Sequence, residues 1–240
     1  TKEPAIFNGF KNLRLMMSGS AALAPEIHKK WETLTGQKIL ERYGMTEVGM
    51  ALSNKIDGER RPGAVGEPLP NVTIRLENEN GNEITEEGEI GQILLKGPQV
   101  FKEYQNLPEK TEESFKDGWF LTGDIAVMED GYYRLLGRES IDIIKSGGYK
   151  ISALEIEDVL LRNKNVKECA VIAKSDEKWG EIVVAAIILR SKPISEEELV
   201  NWCSKYLSDY KIPRIIKVLD QLPKNSMGKV TKKELKKVFN

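Results

Sequence analysis

The sequence predicts a mixed α/β protein that changes character twice along its length. Three observations carry this reading. Residues 1–64 alternate strand and helix patterns, residues 65–139 break into short strands at Asn-Gly and Asp-Gly turns, and residues 140–240 interleave capped helices with apolar strand runs.

In the first stretch Leu13, Leu15 and Met17 alternate with other residues in "NLRLMMSGS", a strand pattern that runs into a Gly/Ser turn. Pro25 suits the first turn of a helix and Gly36 its end. "KILERY" reads as a second strand and Met45 to Met50 as the start of a second helix, with loops at the strand ends. In the second stretch "NVTIRLENENGNEI", "GEIGQILLKG" and "IAVMEDGYYRLLG" read as strands of a small antiparallel sheet or barrel. In the third, Ser152 with Glu155, Ser195 with Glu198, and Thr231 with Glu234 each fit a capping box, in which the hydroxyl caps a backbone N–H and the Glu reaches back. "ECAVIAK" and "EIVVAAIILR" read as buried strands. Leu199, Trp202, Cys203, Tyr206 and Tyr210 follow helical spacing and read as core. This last stretch is expected to be an independent α+β domain.

Composition narrows the chemistry. The 36 basic and 37 acidic residues leave a net charge of -1, which argues against a dedicated nucleic-acid binder. The Lys-rich end "KVTKKELKKVF" is interrupted by Val230, Leu235, Val238 and Phe239, so an amphipathic helix with a solvated face is expected there. Cys169 and Cys203 lie far apart among apolar residues and read as buried free thiols. The single histidine, His28, reads as a surface or half-buried helix position. One His and two scattered Cys make a zinc site improbable and exclude Ser-His-Asp chemistry within these residues. No apolar run approaches the roughly 18 residues a membrane span needs, and no signal peptide opens the chain. The start, "TKEPAIFNGF", lacks a methionine, so a fragment of a longer protein is expected.

Four clusters carry possible chemistry. They are "ERYGMTE" with the upstream "SGSAAL"; "GWFLTGD", ending at Asp124 in a turn; "GRESIDIIKSGGYK", with Arg138, Lys145 and Ser146-Gly147-Gly148; and "LPKNSMGKV", with Lys229 in a loop before the last helix. Each also has a plain structural reading: Asp124 can cap a turn, Gly147-Gly148 can be a hairpin, and Lys229 can be a solvated loop lysine. "MGKV" fails as a phosphate-binding Walker loop, because Pro223 stands where the first glycine belongs and Val230 follows the lysine.

Together, in this order and spacing, the motifs "ERYGMTE", "RRPGAVGEPLP", "DGWFLTGD", "IIKSGGYK" and "LPKNSMGKV" resemble those of the adenylate-forming superfamily, which includes acyl-CoA synthetases, nonribosomal adenylation domains and firefly-type luciferases. The set is most similar to the malonyl-CoA synthetase branch. The resemblance covers nearly the whole chain and corresponds to roughly the C-terminal 40% of such an enzyme. It implies the end of a large AMP-binding domain over 1–139, with a β-barrel-like subdomain, and a mobile C-terminal domain over 140–240. It also implies ATP, Mg²⁺ and coenzyme A. Tyr43 would stack on adenine, Gly44 would let the backbone approach, Thr46 would hydrogen-bond phosphate and Glu47 would help hold Mg²⁺. Gly19, Ser20 and Ala21 match the adenine-contacting loop. Asp124 would accept from both ribose hydroxyls, and Arg138 would donate to ribose and phosphate oxygens. Lys229 matches the lysine that reaches the acyl carboxylate and the α-phosphate. Lys145 to Tyr149, with Ser146, Gly147 and Gly148, would be the loop presented when the C-terminal domain rotates, about a hinge at Ser140 to Asp142.

That chemistry suits a histidine-poor chain. A carboxylate is already ionised at pH 7, so its attack on the α-phosphate needs cations rather than a general base: Lys229, Mg²⁺ and Arg138. A lysine about 4 Å from the developing charge, at an effective dielectric near 20, contributes roughly 4 kcal/mol, about a thousandfold in rate. In the second half-reaction the thiol of coenzyme A attacks the acyl-adenylate, a reactive donor for which positioning does much of the work.

Arg42 bears on substrate choice. A cation beside Tyr43 would pair with the distal carboxylate of malonate, with Ser20 as a helper; the alternative is a structural salt bridge to Glu41 or Glu47. Malonate and methylmalonate both stay open as the acid activated, and competing readings are a medium-chain acyl-CoA ligase, a carrier-protein adenylation domain or a non-catalytic piece. The last arises because the resemblance places a phosphate loop of the type TSGTTGxPK upstream of Thr1. These residues alone are therefore expected not to adenylate malonate. Relatives of this kind are mitochondrial or cytosolic, and oligomeric state is not legible.

Overall fold

The computed structural model describes residues 9–190, 193–226 and 228–239. The chain divides into two compact units, Thr1–Leu135 and Leu136–Asn240.

Unit 1 opens with β1 (Met17–Ser18), α1 (Pro25–Thr35), β2 (Leu40–Met45), β3 (Gly49–Ser53) and β4 (Glu67–Pro68). The strands form one sheet in that order, β1 and β2 parallel with α1 as their crossover. As its sequence indicates, α1 has Pro at its start and ends at Gly36 in a left-handed conformation, whose N–H bonds to Glu32 O at 2.7 Å. Three expectations fail here. The first strand is shorter, since Leu13 and Leu15 lie outside β1. Met45 to Met50 is a tight hairpin rather than a helix start, because Gly49 at φ 62 reverses the chain and β3 pairs back on β2. His28 is fully buried, not at the surface, because it faces Glu41 of β2 beneath α1.

The rest of unit 1 is antiparallel. The strands β5 (Thr73–Glu77), β6 (Glu83–Ile84), β7 (Ile90–Lys96), β8 (Phe115–Lys116), β9 (Trp119–Glu129) and β10 (Tyr132–Arg138), whose residues from Leu136 on are counted with unit 2, form a sheet of order β10-β9-β7-β5-β6, with β8 on β9. A short helix, α2 (Pro108–Glu113), precedes β8. Asp130 and Gly131 join β9 to β10 with both φ positive, the turn that an Asp-Gly pair favours. A shared core of Tyr43, Val48, Leu52, Val65, Leu76, Ile93, Leu95, Phe120 and Tyr133 joins the two sheets of this unit.

Unit 2 holds β11 (Ile143–Ser146), β12 (Tyr149–Ser152), α3 (Ala153–Leu161), β13 (Val166–Asp176), β14 (Gly180–Leu189), α4 (Glu196–Cys203), β15 (Ile215–Val218) and α5 (Lys232–Lys236). The sheet runs β12-β11-β14-β13, with β15 parallel on β14. The apolar stretches of the two long strands, residues 169–173 of β13 and 182–189 of β14, are continuous because both faces of the sheet are covered there. Val171, Val183, Ala185 and Ile187 pack with α3 and α4, and Ile172, Ile182, Val184, Ala186 and Ile188 pack with Leu235 and Phe239.

The caps differ among themselves. Ser195 and Glu198 make the full reciprocal box, Ser152 accepts from Glu155 N, and Thr231 makes no side-chain cap. Tyr206 and Tyr210 are exposed rather than core, because α4 stops at Cys203 and the chain turns away before either ring can reach the sheet. Cys203 is buried, its thiol pushed up to about 11 by burial. Cys169 is only partly buried as a residue, yet desolvation pushes its thiol up as well. The Lys-rich last helix is not simply a solvated face: Lys232 is largely withdrawn from solvent between two carboxylates.

Candidate active site

In unit 1 the parallel register pairs Ser18 with Glu41, which brings the start of the Gly19-Ser20-Ala21 turn alongside Arg42 of β2. Ser20 sits at φ 68. A Cβ on Gly19 would lie 3.0 Å from Arg42 Cζ and 3.2 Å from its Cγ, so the arginine lies flat on the turn's backbone. Among the described residues no carboxylate pairs with Arg42, and its Nε is buried without a hydrogen-bond partner. Both neighbouring carboxylates are engaged elsewhere. Glu41 Oε1 accepts from His28 Nδ1 at 2.8 Å and from Gly63 N–H at 2.9 Å, and Glu47 Oε1 accepts from Tyr104 Oη at 2.8 Å. The salt bridge from Arg42 to Glu41 or Glu47, open on sequence grounds, is therefore not made. Burial raises the Glu41 pKa, opposed by the bonds from Gly63 and His28.

Tyr43 is buried in the unit 1 core, and its Oη donates to Asp124 Oδ2 at 2.6 Å. The hydroxyl therefore orients a carboxylate, and little of the ring is left open for a base. Asp124 lies inside β9, not in a turn. The pairing of β7 with β9 jumps from Gln92↔Ile125 to Leu94↔Leu121, so Thr122, Gly123 and Asp124 bulge opposite Ile93. Thr122 Oγ1 pins the bulge by donating to Ile93 O at 2.8 Å and accepting from Asp124 N–H at 3.0 Å. Gly44 is obligatory for another reason: a Cβ there would lie 2.0 Å from Gly49 O across the hairpin. Thr46 and Glu47 occupy the tip of that hairpin, and the Glu47 backbone O accepts from Phe101 N–H at 2.7 Å.

Unit 2 carries the other candidates. Arg138 ends β10, and its backbone N–H is held by Asp142 Oδ2 at 3.0 Å. Gly147 and Gly148, at φ 56 and 84, are the two-residue turn between β11 and β12, so the hairpin reading holds. A Cβ on Gly147 would lie 2.9 Å from the Trp179 ring. Lys145 N–H donates to Glu181 Oε2 at 2.7 Å, and Ser146 is buried. Trp179 carries Arg214 over its ring at 4.8 Å and Lys178 at 5.1 Å, and Tyr149 stacks on Tyr210 at 4.3 Å. Lys229 is exposed in a loop bounded by a Lys224↔Val230 bridge, its N–H donating to Asn225 Oδ1 at 3.0 Å.

Within each unit, then, the structure brings together Gly19 with Arg42 and Tyr43 with Asp124, and ties the Arg138 backbone to Asp142. Sequence reasoning missed Tyr104, Trp179, Arg214 and Lys232. None carries a local motif; only pairing across the fold marks them. Among the described residues no group of three or more His, Cys, Asp or Glu side chains is placed to hold a metal ion. A magnesium ion carried by nucleotide phosphates needs only one or two carboxylates, which the Glu47 side chain fits. No helix among the described residues is long and apolar enough to cross a membrane.

The AMP-binding enzyme family matches residues 3–105, and the AMP-binding enzyme C-terminal domain matches residues 155–229. The malonate–CoA ligase of Arabidopsis thaliana is 50% identical over 241 residues, covering 95% of this chain and 39% of that protein. The mitochondrial malonate–CoA ligase ACSF3 of Bos taurus is 45% identical over 246 residues, covering 94% of this chain and 42% of that protein. The crystal structure of ATP-bound MatB from Rhodopseudomonas palustris superposes with a TM-score of 0.89 at 37% identity, covering 98% of this chain and 50% of that one. The chain thus spans about two fifths of the length of the curated relatives it matches.

Proposed function

The chain belongs to the adenylate-forming superfamily of AMP-binding enzymes, and we propose from that premise that it serves an ATP-dependent acid–thiol ligase that activates malonate. In the full-length protein a carboxylate of malonate attacks the α-phosphate of ATP and expels pyrophosphate, and the thiol of coenzyme A then takes the malonyl group with release of AMP and a proton. The observation that carries the malonate reading is Arg42, a half-buried cation with no carboxylate partner among the described residues. A partly desolvated cation without an ionic partner is less favourable than a paired one, and the distal carboxylate of a dicarboxylic acid would supply that partner, with Ser20 on the adjacent turn as a second contact. A fatty acid offers no such group, which separates this reading from that of a medium-chain ligase.

The remaining roles follow from chemistry and position. Asp124, aimed by the bulge and by Tyr43, accepts from the ribose hydroxyls. The Gly19-Ser20-Ala21 turn and Gly44 give backbone approach to the adenine end, and what remains exposed of Tyr43 lies against the base. Thr46 donates to phosphate. Glu47, oriented by Tyr104, would hold Mg²⁺, which when bound neutralises phosphate charge. Lys229 and Arg138 supply positive charge to the carboxylate and α-phosphate as they react. The Lys145-Ser146-Gly147-Gly148 turn serves the thiol-transfer half. The indole of Trp179 and the rings of Tyr149 and Tyr210, with Lys178, Lys211 and Arg214, offer the aromatic and cationic chemistry that the nucleotide end of coenzyme A requires. Location in the mitochondrion, named for the bovine relative, or in the cytosol fits this activity.

Two measurements test the reading in the full-length protein. Arg42→Leu should abolish the preference for malonate over butyrate; an intact preference would remove the anchor. Lys229→Ala should abolish malonate-dependent pyrophosphate exchange yet spare thioester formation from preformed malonyl-adenylate. Equal loss of both would refute the division of labour.

A further inference from the structure

Unit 2 contains a buried charge cluster whose members no motif singles out together. Lys232 Nζ lies 2.7 Å from Asp142 Oδ1 and 2.8 Å from Glu157 Oε1, with the three side chains 12%, 17% and 16% exposed. Each carboxylate has a second task. Asp142 Oδ2 accepts the backbone N–H of Arg138 at 3.0 Å, and Glu157 Oε1 accepts the N–H of Val171 in β13 at 2.8 Å. The Asp142 backbone is also fixed, since its carbonyl accepts the Ala153 N–H of α3 at 2.8 Å and its Cβ lies 2.3 Å from where a Cβ on Gly137 would be. One aspartate therefore touches the backbone of Arg138 on one side and the first residue of α5 on the other.

Lys232 follows Lys229 by three residues, and the connection is stiff. Thr231 N–H donates to Pro223 O at 2.8 Å, Asn225 N–H to Lys229 O at 2.9 Å, and the near end of the loop is held by Lys224 Nζ on Glu168 at 2.6 Å. Burial opposes the charge on Lys232, and Glu157 and Asp142 outweigh it, holding the ammonium above the usual lysine value. Burying such a group is not in itself a source of stability, because a well-packed apolar residue commonly does as well. A charged lysine between two carboxylates does supply one fixed position, which an apolar side chain does not enforce.

We propose that Lys232 is a positioning residue that holds Lys229 and Arg138 in one frame for adenylate formation. This rests on the function proposed above. Lys232, three residues after the loop lysine, and the backbone of Arg138 are both tied to Asp142, so the backbone segments that carry the two cations of the first half-reaction share one anchor. The second half-reaction, which does not use Lys229, does not need it.

The test uses the full-length protein with Lys232→Met, Lys232→Arg and the double variant Lys232→Met with Glu157→Gln, which removes one of the two carboxylates otherwise left without a cation. Both Met variants should lose roughly ten- to hundredfold in kcat for malonate-dependent pyrophosphate exchange, the scale of a displacement of about 1 Å, with KM for ATP little changed. Thioester formation from preformed malonyl-adenylate should be unaffected, and Lys232→Arg should recover most of the loss. Independently of activity, amide exchange over residues 224–231 should quicken in the double variant while β13 and β14 stay protected. Equal loss in both half-reactions, wild-type exchange over 224–231, or collapse of β13–β14 protection would each overturn the proposal, the last by making the cluster merely structural. Should Lys229→Ala leave pyrophosphate exchange intact, the function fails instead, and amide exchange still decides whether Lys232 positions the loop.

Discussion

Tyr43→Phe tests the contact on which the unit 1 candidates depend. The substitution keeps the ring in its core position and removes only the hydroxyl that donates to Asp124 Oδ2 at 2.6 Å. Hydrogen bonds to charged groups contribute about 1.5–3 kcal/mol. Asp124 is half-buried, so water can partly replace the lost donor and the lower end, about 1.5 kcal/mol, is expected. For a chain of this length 1 kcal/mol moves Tm by about 2–4 °C, so the variant should melt about 3–6 °C lower. Since about 1.4 kcal/mol is tenfold in affinity, a carboxylate that must be reoriented on binding should weaken ATP by up to about tenfold in the full-length protein. The decisive assay is a double-mutant cycle with Asp124→Asn, read by urea unfolding and by calorimetric ATP titration. Residues in contact couple by about 0.5–3 kcal/mol, and independent sites add to within about 0.3–0.5 kcal/mol. Additive behaviour in both readouts would show that Tyr43 does not orient Asp124.

Four further outcomes follow from contacts elsewhere in the two units. Gly44→Ala places a Cβ 2.0 Å from the Gly49 carbonyl oxygen, so the hairpin must open, and urea unfolding should show at least the roughly 1–3 kcal/mol typical of overpacking. Gly49→Ala meets nothing within 4 Å and should lose only the roughly 1–2 kcal/mol of left-handed backbone strain. Glu41 has a raised pKa in the folded state, so its contribution to stability is complete below the unfolded value near 4.5 and is lost as pH rises through the folded value. Urea titrations from acid to neutral pH should accordingly show wild type losing ground to Glu41→Gln; a pH-independent difference would contradict the burial assigned to that carboxylate. Trp179→Ala, which removes the ring beneath Arg214 and Lys178, should raise the KM for coenzyme A roughly two- to fivefold, the scale of exposed cation–π contacts, and leave malonate-dependent pyrophosphate exchange unchanged.

Much of the architecture was legible because its cues are local. Pro25 and Gly36 delimit α1 through backbone restrictions that act within a residue or two, and Asp130-Gly131 encodes its own turn. The unbroken apolar runs of β13 and β14 report a sheet covered on both faces whatever covers it. The motifs that carry the superfamily resemblance are contiguous stretches of this kind too, which is why they could be found without coordinates.

Where the reading failed, the deciding force came from elsewhere in the chain. Met45 to Met50 has a helix-like composition, but pairing of β3 on β2 overrides it. His28 has a polar helix context, but a glutamate 13 residues later buries it. Asp124 sits in a Thr-Gly-Asp run that suggests a turn, and only the register of β7 against β9 makes it a bulge that aims the carboxylate. Sequence alone thus determined which groups of atoms this protein can present: a lone arginine before a tyrosine, a Thr-Gly-Asp, paired glycines and a loop lysine. Tertiary structure decided how charges are satisfied: among the described residues Arg42 meets no carboxylate, whereas Lys232, which no motif marked, meets two. The physical reason is range: backbone preference acts over a few residues, whereas the desolvation and pairing of a charge depend on whatever the fold brings within a few ångströms of it.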